Sequence, residues 1–292
     1  MSELGTAVAQ ARARFAAAGL PDAAMEARIL IGGLLGLSST EVFSQGERRM
    51  TEAELARIAD AVERRLNREP VHRILGHREF FGMDLVLSRE TLEPRPDTEI
   101  LVETLLPRMG QIVADKGRAR ILDLGTGTGA ILLALLKECP QAQGLGSDIS
   151  EDALSTARLN ARRLGVDDRF EAVRSRWFEK ISGRFDIIVS NPPYIRADVI
   201  PALEPEVRDF DPMAALDGGP DGLDAYRAIA EEAGHFLDNN GIIGVEIGFD
   251  QRESVGAIFA GAGWALLQAA RDYGGNDRVL VFARATETVD FA

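Results

Sequence analysis

The segment Asn191-Pro192-Pro193-Tyr194 combines hydrogen-bond acceptors with a flat aromatic ring. It follows a short apolar run, and the prolines end the predicted strand because they cannot donate to a sheet and have fixed φ angles. The backbone carbonyls and the Asn191 amide oxygen are then held as a rigid array of acceptors beside Tyr194. Such an array suits a planar group that carries NH2, either an amide or the exocyclic amine of a base. A rigid turn with a satisfied asparagine has the same local sequence, so the segment alone leaves both interpretations open.

A second segment, Asp123-Leu124-Gly125-Thr126-Gly127-Thr128-Gly129-Ala130, lies between a predicted strand and a predicted helix. Its glycines allow a tight turn and a close approach to a ligand at the helix N-terminus. Asp148 ends the next predicted strand, about twenty residues further on, where an acid can accept hydrogen bonds from ribose hydroxyls. The pattern predicts a cofactor that contains a nucleoside. Its identity stays open, because Gly125, Gly127 and Ala130 also fit the dinucleotide fingerprint.

Alternating strands and helices after Arg120 indicate how these segments are positioned. This alternation is typical of a doubly wound, mostly parallel α/β sheet, in which ligands bind beyond the carboxyl ends of the strands. The loops that follow Leu124, Ser147, Val173 and Ser190 are therefore predicted to share one rim. Seven strands are predicted at residues 121–124, 144–147, 170–173, 185–190, 242–247, 264–270 and 279–282, with helices at 130–136, 152–164, 223–236 and 251–259.

The first third of the sequence has the pattern of a small helical bundle. Apolar residues keep helical spacing from Leu4 to Phe15, and Thr51-Glu52-Ala53-Glu54 is a capping-box pattern. We predict a helical domain over residues 1–76, a hairpin linker over 77–96, and the α/β domain over 97–292. At the end of the linker, prolines keep the chain extended, and Asp97 is predicted to cap the next helix.

Composition excludes several classes of protein. The 292 residues include 46% hydrophobic and 27% charged residues, without a signal-peptide pattern or an apolar stretch of membrane length, so we expect a cytoplasmic location and no membrane partner. Cys139 is the only cysteine and the three histidines lack ligand spacing, so we expect neither a disulfide nor a metal site. A net charge of −13 disfavours a surface that grips a long duplex, so we expect no stable nucleic-acid partner.

These segments together resemble the class I S-adenosylmethionine-dependent methyltransferases. The helical N-terminal part and Pro94-Arg95-Pro96-Asp97-Thr98-Glu99 narrow the resemblance to the release factor glutamine methyltransferase family, most specifically from residue 80 onward. The resemblance implies transfer of a methyl group from S-adenosyl-L-methionine to the glutamine of the Gly-Gly-Gln motif of peptide chain release factors. Further segments similar to this family are Phe80-Phe81-Gly82, Ala215-Leu216-Asp217-Gly218-Gly219, Asp221-Gly222-Leu223, Glu246-Ile247-Gly248 and Arg271-Asp272-Tyr273-Gly274.

The resemblance also implies roles for individual residues. The N-terminal domain would dock the release factor. Separately from the resemblance, we expect a monomer. Where Arg176 stands, relatives often carry an acid that accepts from the adenine amine; because arginine cannot accept, adenine recognition would rest on backbone groups and Trp177. The implied cofactor-binding residues are Asp123, Gly125, Thr126, Gly127, Thr128, Gly129, Asp148, Trp177 and Asn191; the implied substrate-binding residues are Asn191, Pro192, Pro193 and Tyr194, of which Asn191, Pro192 and Tyr194 would be catalytic.

The chemistry poses one difficulty, since an amide nitrogen delocalises its lone pair into the carbonyl. We hypothesise that the Asn191 side chain and the Pro192 carbonyl accept both N–H bonds of the substrate amide, which would orient the nitrogen and stabilise positive charge as it develops. Tyr194 would stack on the amide plane. No strong base is required, because the methylated, protonated amide is acidic enough to lose its proton afterwards.

Other functions share some of these motifs. A methyltransferase for adenine N6 or a cytosine amine of nucleic acid would use the same acceptor segment, with a flipped base stacked on the tyrosine. A glutamine methyltransferase for a ribosomal protein would share nearly every motif. A nicotinamide dehydrogenase could use the glycine loop, but it would leave residues 191–194 without a role.

Overall fold

The structure, a computed structural model, describes residues 3–285, and these residues form two compact units. The helical unit comprises the chain up to Arg78 together with Glu204–Phe210, and the sheet unit comprises Glu79–Leu203 with the chain from Asp211 onward. Across the described residues we found no helix that combines the length and the apolar character needed to cross a membrane. The predicted fold class, a doubly wound α/β sheet with an N-terminal helical bundle, is confirmed.

Five helices pack around the apolar core of the helical unit, which includes Leu4, Phe15, Leu30 and Ile58. The predicted capping box begins the fourth of them, where the Thr51 hydroxyl accepts from a backbone N–H and Glu54 accepts in return. The helices are α1 (Leu4–Ala17), α2 (Ala23–Leu35), α3 (Ser39–Ser44), α4 (Glu52–Leu66) and α5 (Val71–Leu75).

Glu204–Phe210 lies in the predicted α/β domain but groups with the helical unit. The reason is a buried cation on α4. Arg65 donates to Glu26 from Nε at 2.8 Å and to Glu206 from Nη2 at 3.0 Å, with 2% of its side chain exposed. Arg68 also donates to Glu206, at 2.7 Å. A buried guanidinium that loses its carboxylate partners is strongly destabilising. The ion pairs with Glu206 therefore hold Glu204–Phe210 against the helices.

Replacing Arg65 by alanine should therefore release this segment. We expect the free energy of unfolding of the helical unit to fall by about 3 kcal/mol, because the change removes a buried cation shared by two carboxylates. Native-state hydrogen exchange would measure this through the amides of residues 207–209, which bond within the segment. Arg14→Ala is the matched control, since its pair with Glu63 is exposed and should contribute less than about 1 kcal/mol. Equal exchange in both variants would contradict the prediction.

A seven-stranded sheet forms the centre of the sheet unit, in the order β5-β4-β3-β6-β7-β9-β8. Strands β3 to β7 are parallel, and β9 runs antiparallel to both of its neighbours. The predicted hairpin forms a separate sheet of β1 and β2. The strands are β1 (His77–Phe80), β2 (Met83–Val86), β3 (Ala119–Leu124), β4 (Ala142–Asp148), β5 (Phe170–Arg174), β6 (Phe185–Ser190), β7 (Leu237–Glu246), β8 (Trp264–Arg271) and β9 (Asp277–Arg284).

Helices cover both faces of this sheet. On β6, Ile187 and Val189 belong to one apolar cluster and Ile188 to the other, as expected where successive side chains point to opposite faces. The remaining helices are α6 (Glu99–Lys116), α7 (Ala130–Glu138), α8 (Glu151–Leu164), α9 (Pro205–Arg208, within the helical unit), α10 (Met213–Leu216), α11 (Asp224–Phe236) and α12 (Arg252–Gly261).

The predicted cap at Asp97 is wrong. Residues Pro96–Thr98 form a 3-10 turn, and α6 begins at Glu99 with Thr98 at the N-cap and no capping side chain. Pro96 favours this early turn because its fixed φ already suits a helical start. Asp97 instead lies 3.5 Å from Arg278, and the Thr98 hydroxyl bonds to the acceptor segment rather than to its own helix.

Candidate active site

A cavity of about 980 Å3 lies beyond the carboxyl ends of β3 to β6, large enough for a nucleoside-containing ligand. The four loops predicted to share a rim all contribute to its wall. The segment after the hairpin contributes as well, through Glu90, Leu92, Pro94 and Arg95. Of the candidate residues, the wall contains Gly125, Thr126, Gly127, Thr128, Asp148, Trp177, Asn191 and Pro193; Asp123, Gly129, Pro192 and Tyr194 do not line it.

The glycine loop is tied to the neighbouring strand by its own backbone. Gly127 has a φ of +55° and its N–H donates to the Asp148 carboxylate at 2.9 Å. The N–H groups of Gly125 and Thr126 both donate to the Ser147 carbonyl at 2.9 Å. A side chain at position 127 would strain this left-handed turn, so glycine keeps the backbone close to the cavity.

Two carboxylates lie beneath and beside this loop. Asp123 is buried and accepts from the Thr126 hydroxyl at 2.6 Å, while its Oδ1 has no hydrogen-bond partner among residues 3–285. Burial raises the pKa of Asp123 to about 7. Burial also raises the pKa of Asp148, although backbone N–H groups, including that of Ser150 at 2.9 Å, oppose the shift. Asp123 therefore supports the loop from below, whereas Asp148 faces the cavity.

Trp177 occupies a strained turn after β5. Its φ is +46°, an uncommon value for a bulky residue, and its ring is half-buried. The Ser175 hydroxyl stabilises the turn by donating to the Trp177 carbonyl at 3.1 Å and accepting from the Lys180 N–H at 3.0 Å. Arg176 is exposed beside it on the same wall. Strain of this kind is typical of functional sites.

The acceptor segment keeps two oxygens available. The Asn191 amide nitrogen donates to the Thr98 hydroxyl at 3.2 Å, and within the described part of the chain no donor reaches Asn191 Oδ1 or the Pro192 carbonyl. Tyr194 directs its hydroxyl inward to Glu246 Oε1, at 3.4 Å, and its carbonyl accepts from Gln251 at 3.0 Å. The Tyr194 hydroxyl therefore points into the protein interior, and Tyr194 does not line the cavity.

Residues 216–222 pack under this segment. The Ile195 N–H donates to the Leu216 carbonyl at 3.0 Å, and Gly218 donates back to the Ile195 carbonyl at 2.9 Å. A Cβ at Gly218 would lie 2.9 Å from the Pro193 carbonyl oxygen and from the Tyr194 Cα. The role of Gly218 was missed because the sequence offers only a double glycine, which is typical of any turn.

Comparisons with known proteins identify the family. Residues 6–76 match the PrmC N-terminal domain, and residues 86–202 match the methyltransferase small domain. A release factor glutamine methyltransferase of Agrobacterium fabrum is 66% identical over 274 residues, which cover 94% of this chain and 95% of the relative. The chain belongs to the release factor glutamine methyltransferase family. A relative of the same name from Bradyrhizobium diazoefficiens is 48% identical over 250 residues, covering 86% of this chain and 84% of the relative.

Membership of the release factor glutamine methyltransferase family confirms the resemblance seen in the sequence and makes the chain an S-adenosylmethionine-dependent methyltransferase. A solved methyltransferase of Pyrococcus furiosus shares the fold, with a TM-score of 0.52 at 18% identity, and the match covers 80% of this chain and 98% of that one. The cavity fits the cofactor: it offers carboxylate acceptors, a glycine turn that admits close approach, and the half-buried ring of Trp177.

The glycine at 218 provides a test of the packing in this family member. Gly218→Ala should lower the free energy of unfolding by about 1 to 3 kcal/mol and reduce methyl transfer, because the new methyl displaces the acceptor segment. Thermal unfolding and a methyl-transfer assay would measure both effects. Gly256→Ala is the matched control, because a Cβ there meets no atom within 4 Å in α12 and should stabilise slightly. A Gly218→Ala variant as stable and active as Gly256→Ala would contradict the packing argument.

Proposed function

We propose that this enzyme methylates the side-chain amide nitrogen, N5, of the glutamine in the Gly-Gly-Gln motif of peptide chain release factors. The observation that carries the proposal is a pair of acceptors after β6, Asn191 Oδ1 and the Pro192 carbonyl, which no donor among residues 3–285 reaches. A primary amide carries two N–H donors, so the pair matches it in number and chemistry. The names of the relatives supply the release factor as the substrate protein.

The residues around the glycine loop would hold the cofactor. Asp148 would accept from the ribose hydroxyls, using lone pairs that the Gly127 and Ser150 N–H groups leave free. Residues 125–129 would lie along the methionine part, and Trp177 would pack near the adenine. Arg176 carries donors only, so in our proposal it does not read the adenine amine. When bound, S-adenosylmethionine supplies an activated methyl group on a sulfonium.

The substrate amide then needs orientation more than it needs a base. Accepting both N–H bonds fixes the nitrogen and stabilises the positive charge that develops there. Burial and the nearby Glu246 carboxylate raise the pKa of Tyr194 above its usual range, so its phenol stays protonated at neutral pH and cannot act as the base. Its ring does not line the cavity, so stacking of Tyr194 on the substrate amide remains a prediction.

Labelled S-adenosylmethionine with purified release factors would test the proposal. Label should appear on the intact factor, and a factor whose motif glutamine is replaced by alanine should remain unlabelled. Label on the replaced factor, on a ribosomal protein only, or on nucleic acid would overturn the assignment. Docking of the factor on the helical unit, a monomeric state and a cytoplasmic location remain predictions.

A further inference from the structure

Arg95 lines the cavity, but neither the acceptor pair nor the glycine loop uses its charge. Its Nη2 donates to the Asp211 carboxylate at 2.6 Å, and 38% of the Arg95 side chain is exposed. Among residues 3–285 no other acceptor reaches this guanidinium, so Nε and Nη1 keep their hydrogens for a ligand. A guanidinium with open donors of this kind is suited to hold a carboxylate through two parallel hydrogen bonds.

The ion pair with Asp211 fixes the position of this guanidinium. Only 2% of the Asp211 side chain is exposed, so the carboxylate is a buried anchor for an arginine on the wall. Pro212 and Met213, the next residues along the chain, line the same cavity. Because the ion pair already restricts the long Arg95 side chain, a ligand that binds it causes a smaller loss of conformational entropy.

The order of the strands gives the proposed cofactor a direction along the rim. Four neighbouring strands run in the order β5-β4-β3-β6, and the loops after them line the cavity. Asp148 ends β4 and Trp177 follows β5, so the ribose and the adenine of the proposed arrangement lie toward β5. The methionine part then extends past the glycine loop after β3 toward Asn191 after β6, where the methyl group meets the substrate amide.

Arg95 lies at the β6 end of this rim. Its carbonyl accepts from the Thr98 N–H at 3.0 Å, and the Thr98 hydroxyl accepts from the Asn191 amide at 3.2 Å. Two further arginines line the described wall, but Arg174 ends β5 and Arg176 follows it. Strand order therefore places Arg95 with the methionine part of the cofactor and the other two arginines with the adenine.

We propose that Arg95 binds the α-carboxylate of S-adenosylmethionine and that Asp211 is a positioning residue that holds its guanidinium. The inference rests on the proposed function for the placement of the cofactor. The carboxylate is the anionic group of this cofactor, whereas a Gly-Gly-Gln segment presents neutral amides, so charge favours the cofactor over the substrate as the ligand. Cofactor affinity thus depends on a segment outside the glycine loop.

Two ligands that differ in this one group test the assignment. Decarboxylated S-adenosylmethionine keeps the sulfonium and the amine of the cofactor, and isothermal titration calorimetry should show that the wild type binds it at least about 10-fold more weakly. Arg95→Gln should raise the Kd for S-adenosylmethionine at least about 10-fold and change the Kd for the decarboxylated form less than about twofold. Asp211→Asn should reduce the preference for the carboxylate by a smaller factor, because the guanidinium stays charged but is no longer held by an anion.

Arg176→Gln is the matched control, because Arg176 lines the same cavity at the β5 end. This change should shift the affinities for both ligands by the same factor and leave the preference for the carboxylate intact. Thermal unfolding would establish that each variant is folded. If Arg95→Gln is not folded, Arg95→Lys replaces it; lysine keeps the charge but not the two parallel donors, so part of the preference should be lost.

A wild type without the preference, or an Arg95→Gln variant that weakens both ligands equally, would overturn the inference. Unchanged cofactor affinity with a raised KM for the release factor would also overturn it, because Arg95 would then act on the substrate. An Asp211→Asn variant with the wild-type preference would remove the positioning role. If the wild type kept the preference but failed to methylate the motif glutamine, the proposed function would fail and the carboxylate site would stand.

Discussion

Asn191→Ala should lower kcat for glutamine methylation at least about 100-fold, because it removes one of two groups that orient the substrate amide and stabilise its developing charge. Cofactor affinity should change by less than about 10-fold, since Asp148 and the glycine loop remain. Single-turnover kinetics with saturating cofactor would measure the loss of methyl transfer. Isothermal titration calorimetry would measure the cofactor affinity.

A nearby surface variant provides the control for this result. Asp198 is exposed, and among residues 3–285 its side chain pairs with Arg196 alone, so Asp198→Ala should keep wild-type turnover. If Asn191→Ala bound the cofactor normally and retained near-wild-type turnover, the acceptor role of Asn191 would be refuted.

Asp148→Ala should weaken cofactor binding about 100-fold, through the loss of charged hydrogen bonds to the ribose and of the anchor for the Gly127 N–H. Titration calorimetry would measure it, with Asp167→Ala as a control because that carboxylate is exposed beyond α8. Unchanged affinity in the Asp148 variant would remove this residue from the cofactor site.

The affinity for S-adenosylmethionine should also decrease at low pH. Only the charged Asp148 carboxylate accepts on both oxygens, and burial raises its pKa above the usual range. Affinity should therefore be full above the raised pKa and decline as the pH falls through it, beginning at a higher pH than an ordinary aspartate would give. Asp148→Asn should lose this decline, and calorimetry across the acid range would show it.

The sheet and the rim of the site could be predicted because they depend on local periodicity. Apolar runs of strand length alternate with helical patterns, and parallel connectivity then places successive loops at one edge. Residues that line the cavity from the glycine loop to Asn191 lie on those loops, so their proximity followed from the topology.

The supporting residues could not be found in this way. Thr98 lies 93 residues from Asn191 in the chain, and nothing in a proline-rich segment indicates which distant side chain its hydroxyl meets. Glu246 ends an apolar strand, where an acid is compatible with exposure as well as with burial. Asp97 matched the pattern of an N-cap residue for α6. In the structure a 3-10 turn begins at Pro96, so Asp97 lies inside that turn and does not cap the helix. Long-range pairing, rather than propensity, decides such positions.

The grouping of Glu204–Phe210 with the helical unit means that no single cut separates the two parts of this enzyme. The polypeptide leaves the sheet unit after Leu203 and re-enters it at Asp211, so the smaller part is assembled from discontinuous stretches. A shortened chain that starts at Glu79 would keep Glu204 and Glu206 but lose the guanidinium groups that neutralise them. Glu204–Phe210 is thus an integral part of the helical unit, and exchange of the N-terminal helices between homologues would require exchange of this segment as well.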